Sequence, residues 1–221
     1  MPLAPAEAPI GVSCRAMTAS MTSTVAEPPQ RLADTDWLHH RLEISGPSGM
    51  VAAFALAARG AGVIPWQLNL DRSEEDLFHR LIAPPPQQRR SLSLAGARAL
   101  ARQLREAVAA RHEAAVARVG LSQACPLDLH TLVPVPPEIL RMGPDDPGAL
   151  AWLWANWGTT DDLRHVAVEP APALRVQLPD DTTMLRISFW SADWTPWRAL
   201  ATVIERWPAL CFEVRPTYDL L

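Results

Sequence analysis

Strict alternation near both ends of the chain most constrains what it can fold into. From Trp37 to Ser45, Leu38, His40, Leu42 and Ile44 fall on one side, and His39, Arg41, Glu43 and Ser45 on the other. Toward the C-terminus, Leu185, Ile187 and Phe189 oppose Arg186, Ser188 and Trp190, while Phe212 and Val214 oppose Glu213 and Arg215. Successive side chains of a strand point to opposite faces, so each stretch is a half-buried strand. The same count puts Arg175 and Gln177 outward from Leu174, Val176 and Leu178. Such strands belong to a sheet with one covered and one open face, and with the helical periods between them the chain reads as α+β. Arg41, Arg175, Arg186, Trp190 and Arg215 are then expected to share the open face.

Helical periods lie between these strands. Gly46-Pro47 breaks the first strand, and Ser48 is expected to cap a helix to about Arg59 through Val51, Phe54, Ala55 and Ala58. A short helix is predicted over 73–82, stopped by Pro84-Pro85-Pro86. Residues 91–119 carry the most regular period. Leu94, Ala97, Ala101, Leu104, Val108, His112, Ala115 and Val119 make one apolar stripe, expected to pack through Leu104 and Val108. Arg98, Arg102 and Arg105 flank it on one side, Arg111 and Arg118 on the other. From 86 to 119, seven arginines stand against Glu106 and Glu113. Leu127 to Val133 reads as a further strand, and a helix follows near 147–156. Strands near 163–168, 174–178, 184–190 and 210–215 come next, with a helix at 196–206 and a turn at Asp180-Asp181. Residues 1–33, rich in Pro, Ala, Ser and Thr without an apolar period, read as a disordered tail.

Composition excludes several classes. The net charge of −4 argues against a surface that grips nucleic acid all round. All 20 cationic side chains are arginine, so no lysine is present for a Schiff base or a phosphate loop. Cys14, Cys125 and Cys211 are too widely spaced for a disulfide framework or a zinc motif, and are read as reduced thiols, two of them buried. The six histidines show no metal spacing, and no cofactor is expected. No run is long enough for a membrane span, and the cytoplasm is the expected compartment.

Three fragments carry a family resemblance: Asn156-Trp157-Gly158-Thr159-Thr160, Phe189-Trp190-Ser191-Ala192-Asp193-Trp194-Thr195-Pro196-Trp197, and Trp207-Pro208-Ala209-Leu210-Cys211-Phe212-Glu213, ending in Tyr218. In order and spacing they resemble the YubB-type ferredoxin-like domain of phage- and plasmid-borne proteins of unknown function. Leu42-Glu43-Ile44-Ser45-Gly46-Pro47 and Leu132-Val133-Pro134-Val135-Pro136 are similar to the N-terminal part of its longer members. The chain departs from the pattern at Thr160, where a Lys is usual, and at Asp193 and Trp197. The resemblance implies a ferredoxin-like antiparallel sheet with helices packed on one face. It assigns residues 34–221 to one domain, with an Arg-rich helical insertion over about 71–124 and the ferredoxin-like part over about 126–218. It implies no activity.

Thr195 is expected to cap the helix that Pro196 begins, and Gly158 to end the one before it. These motifs therefore read first as corners of the fold. Seven of the nine tryptophans lie between 152 and 207, too many to bury on one side of their elements. The candidate partner-binding residues are Arg41, Arg175, Arg186, Trp190 and Arg215 on the sheet and Arg98, Arg102 and Arg105 on the long helix; none is catalytic. The leading expectation is a non-enzymatic accessory or adaptor protein of mobile-element origin that binds a macromolecule, either protein or nucleic acid. The alternatives are an enzyme with a non-standard active site and nucleic-acid binding through the Arg/Trp sheet face.

Overall fold

The structure is a computed structural model, and it describes residues 35–83, 92–170 and 181–217. Strand β1 (Trp37–Pro47) leads into helix α1 (Ser48–Ala57). Five helices follow: α2 (Leu70–Ile82), α3 (Leu94–Val116), α4 (Leu129–Leu132), α5 (Pro137–Leu140) and α6 (Pro147–Asn156). Then come β2 (Arg164–Val168), β3 (Thr182–Ala192), α7 (Trp197–Arg206) and β4 (Cys211–Thr217). The sheet order is β2-β3-β1-β4 and every pairing is antiparallel. With α2 to α6 set aside, this is the β-α-β-β-α-β order of a ferredoxin-like fold. The helical insertion enters between α1 and β2.

Alternation builds the core. Leu42 and Ile44 of β1 and Ile187 and Phe189 of β3 are fully buried, with Leu42 opposite both Ile187 and Val214. Phe54 of α1, Leu200 and Val203 of α7, and Leu153 of α6 close over them. Phe54 meets Trp207 and Phe212 edge-on at 5.5 and 5.4 Å, the geometry that aromatic quadrupoles favour.

Two of the motif fragments, Asn156–Thr160 and Phe189–Trp197, meet at one corner. The Trp157 indole is fully buried and donates to the Val133 carbonyl at 2.9 Å. Thr159 donates to the Ala192 carbonyl, and the Ala199 N–H donates to the Trp157 carbonyl. Gly158 ends α6 at φ 79, and a Cβ there would lie 3.3 Å from the backbone nitrogens of Trp197 and Arg198. Glycine is needed for both the left-handed backbone and the close approach of α7. Asp193, at φ 60, accepts from the Asp36 N–H and from Thr160. Thr160 and Asp193, two of the departures from the family pattern, thus satisfy each other.

Several expectations are corrected. Leu127 to Val133 is not a strand: the Asp128 carboxylate accepts from the N–H groups of His130 and Thr131 and so starts the single turn α4. Ser48 does not cap α1. Its hydroxyl and N–H go to the side chain and carbonyl of Asp181, which sits at φ 68. Thr195 does not cap α7; its hydroxyl goes to His40. Cys125 is half-buried and Cys211 exposed, so the two are not buried thiols. Leu104 and Val108 do not pack: they are 39% and 45% exposed, although they stand about two turns beyond the buried Ala97 and Ala101 on the same helix. The tail 1–33, Cys14, Pro84-Pro85-Pro86, the strand at 174–178 with Arg175 and Gln177, Asp180 and Tyr218 lie outside the described residues.

No described helix is long and apolar enough to cross a membrane.

Candidate functional site

The open face of the sheet gathers most of the outward residues. Arg41, Arg186, Trp190 and Arg215 share it, as the alternation requires: Arg41 lies opposite Ser188 and Arg215, and Glu43 opposite Arg186 and Glu213. Every described arginine there is matched by a carboxylate. Arg186 donates through Nε to Glu43 at 2.8 Å and reaches Glu169 at 4.0 Å. Arg41 donates to the same Glu169 at 2.8 Å, Arg215 to Glu213 at 2.7 Å, and Arg164 to Asp161 at 3.2 Å. Glu213 holds the exposed Arg215 guanidinium above its ordinary pKa. Among the described residues the face carries almost no uncompensated positive charge.

Its uncommitted end lies beside β2. Trp37, Arg164, His165 and Trp190 line a cavity of about 280 Å³. The Arg164 guanidinium stacks 3.8 Å from the Trp37 ring centroid, and His39 tilts against Trp190 at 5.0 Å. A bulge positions this end. Arg164 pairs with Trp190 and Ala167 with Ser188, so β2 spends one residue more than β3 between the same two rungs. His165, inside the bulge, takes a left-handed φ of 49. A non-glycine residue there costs about 1 kcal/mol, and edge-strand bulges commonly re-aim a side chain toward a site. Trp37 was readable from sequence by continuing the count from Arg41 and His39 back one step. His165 was not, because nothing in the sequence marks the bulge.

On the insertion the arginines behave differently. Arg98 makes two hydrogen bonds to Glu75, at 2.6 and 3.3 Å, and lies 3.6 Å over the Phe78 ring. Its hydrogen bonds draw the Glu75 carboxyl below its ordinary pKa. Arg105 donates to Asp71 at 2.9 Å and approaches Glu74 at 3.7 Å. These contacts, Asp71 with Arg105 and Glu75 with Arg98, set α2 and α3 antiparallel. Arg98 and Arg105 therefore join the two helices. Arg102 is exposed, with no ion partner among the described residues.

Two further polar groups are partly or fully withdrawn from water. His40, with no exposed surface, lies under Phe189 with ring centroids 5.1 Å apart. Its Nδ1 lies 2.9 Å from the Leu38 carbonyl, and Thr195 Oγ1 lies 2.7 Å from its Nε2. An imidazole beside a hydroxyl is the pairing of an activated nucleophile. Here no substrate can reach the ring, and desolvation pushes the His40 pKa down. Asp162 accepts the Ile64 N–H at 3.1 Å, and burial, reinforced by Asp161 and Asp128, pushes its pKa up to about 7. Among the described residues no group of His, Cys, Asp and Glu is placed to hold a metal ion.

No family model and no curated protein matches the chain. Among solved structures it is similar to the crystal structure of protein api92 from Yersinia pseudotuberculosis, of the family model DUF1281. The identity is 12%, covering 85% of this chain and 92% of that one, with a TM-score of 0.41.

Proposed function

We propose that this chain is an accessory binding module, an adaptor, that docks a protein partner on the open face of its sheet. The Trp37–Trp190 cavity carries the reading: two half-buried indoles beside a guanidinium, on a face bearing no helix among the described residues. Trp and Arg are the residues that most often dominate protein interfaces. A cavity near 280 Å³ is smaller than most metabolite pockets and fits one anchoring side chain. Affinity for nucleic acid rests on unpaired cations facing phosphates, and the arginines here are already matched by Glu43, Glu169, Glu213 and Asp161. The likeness of the Asn156–Thr160 and Phe189–Trp197 fragments to YubB-type domains supports an origin on a mobile element.

Affinity isolation from the source cell, comparing the wild type with Trp190→Ala with and without nuclease, tests this reading. The expected result is a protein held in stoichiometric amount by the wild type, indifferent to nuclease and lost with Trp190→Ala, while the variant melts within a few degrees of the wild type. A nuclease-sensitive association would replace protein by nucleic acid. A variant that no longer folds would make Trp190 a core residue and remove the site.

A further inference from the structure

A second surface lies on the flank of α3 beside its contact with α2. Leu104, Val108, Arg111 and Ala115 step by four and three, with Arg118 in the turn that follows. This is the spacing of a seam along which another helix packs. Leu104 and Val108 are 39% and 45% exposed, and Ala107 between them is exposed as well. Arg111 and Arg118 are exposed and have no ion partner among the described residues. The two acids of α3 cannot serve them. Glu106 follows Leu104 by two positions and Glu113 follows Arg111 by two, about 200° further round the helix.

We infer that this flank docks an acidic amphipathic helix of a partner protein, its apolar residues on Leu104 and Val108 and its carboxylates on Arg111 and Arg118. Charge decides the occupant. A second copy of this flank would bring no carboxylate, and burying guanidinium groups unpaired is costly. A nucleic acid would satisfy the arginines but leave the leucine and valine uncovered. An acidic helix answers both at once. The arginines that hold the insertion together, Arg98 and Arg105, are already engaged with α2 and leave this flank free.

The full-length chain is titrated with two stapled heptad peptides, one of Leu and Glu, the other of Leu and Lys, and binding is read by fluorescence anisotropy. The Leu–Glu peptide is expected to bind and the Leu–Lys peptide not to. Arg111→Glu with Arg118→Glu, and separately Leu104→Ser with Val108→Ser, are each expected to weaken binding at least tenfold. Both pairs are exposed, so circular dichroism and melting are expected to stay as in the wild type. Trp190→Ala is expected to bind the peptide unaltered, which keeps this flank distinct from the sheet face. Absent binding, equal binding of the two peptides, or undiminished binding by both double variants would overturn the inference. So would a dimer in sedimentation that Leu104→Ser with Val108→Ser dissolves, since it would assign the flank to a second copy.

Discussion

The sheet and the α2–α3 hairpin both set arginines beside apolar residues, and they use them in opposite ways. On the sheet, Leu42 beside Arg41 and Ile187 beside Arg186 are fully buried, and Arg186 itself, 17% exposed, sits between two carboxylates. On the hairpin, Ala97 and Ala101 are the buried residues of α3, and α2 has none. Ion pairs bind the two helices to each other and leave larger apolar side chains in water. A strand whose residues alternate reports two faces at once, and hydrogen-bonded neighbours fix which is covered. A helical stripe reports which side is apolar but not whether anything lies against it. The sheet is accordingly expected to carry most of the stability, and the hairpin to carry reach.

The largest effect is expected where the motif corner meets the core. Trp157→Ala removes a fully buried indole and its hydrogen bond to Val133. The loss is expected to be about 3–5 kcal/mol, read as a lower urea midpoint. A midpoint close to wild type would mean that the corner does not hold α6 to α7, and would undo the contrast with the hairpin.

Next in size is a pH effect at Asp162. Its carboxyl, pushed up to about 7, stays protonated in the folded chain where the unfolded chain has ionised. Between ~4 and about 7 the folded state therefore holds the extra proton, and stability falls as pH rises. Asp162→Asn keeps an acceptor for the Ile64 N–H and removes the titration. It is expected to stabilise by roughly 2–4 kcal/mol at pH 8 and by little at pH 4. His40 and His130 act the other way. Burial holds both below the ordinary value of ~6.5, so their contribution is lost as pH falls below it. Melting curves from pH 4 to 8 separate the two, and an Asp162→Asn variant with the wild-type pH dependence would contradict the assignment.

Smaller effects sort the arginines of the open face. Arg186→Met leaves Glu43 and Glu169 facing each other with less compensation, at 15% and 21% exposure, and is expected to cost about 1–2 kcal/mol. Arg215→Met breaks a pair 64% and 54% exposed, and is expected to cost less than about 0.5 kcal/mol. Equal costs in urea titrations would mean that the face is evenly covered in solution.

The same pairs show how far the sequence reaches. Placing Arg41, Arg186, Trp190 and Arg215 on one face needed only the period of a strand. Matching Arg186 to Glu43 needed the register of β1 on β3, and Glu169 lies beyond the end of β2, where no period extends. The helix boundaries at Pro147–Asn156 and Trp197–Arg206 were legible because Pro and Gly punctuate them. The turn α4 was misread as a strand because a four-residue helix is too short to show its period. There the Asp128 carboxylate, holding two successive N–H groups, overrides the apparent alternation.

The effect expected at Leu104 bears most on the comparison. The period of 91–119 alone makes Leu104→Asp a severe substitution, since it sets a charge in the middle of an apolar stripe. In the structure Leu104 is 39% exposed, and a carboxylate at that position reaches water without desolvation. The expected cost is within about 1 kcal/mol, with the helical content of the hairpin unchanged by circular dichroism. At Ala101, fully buried against α2, the same substitution is expected to cost several kcal/mol and to melt the hairpin. The pair of variants therefore measures how far along α3 the covered surface extends. A cost of several kcal/mol at Leu104 would place that flank against the rest of the chain in solution and withdraw it as a docking surface, while leaving the sheet face untouched.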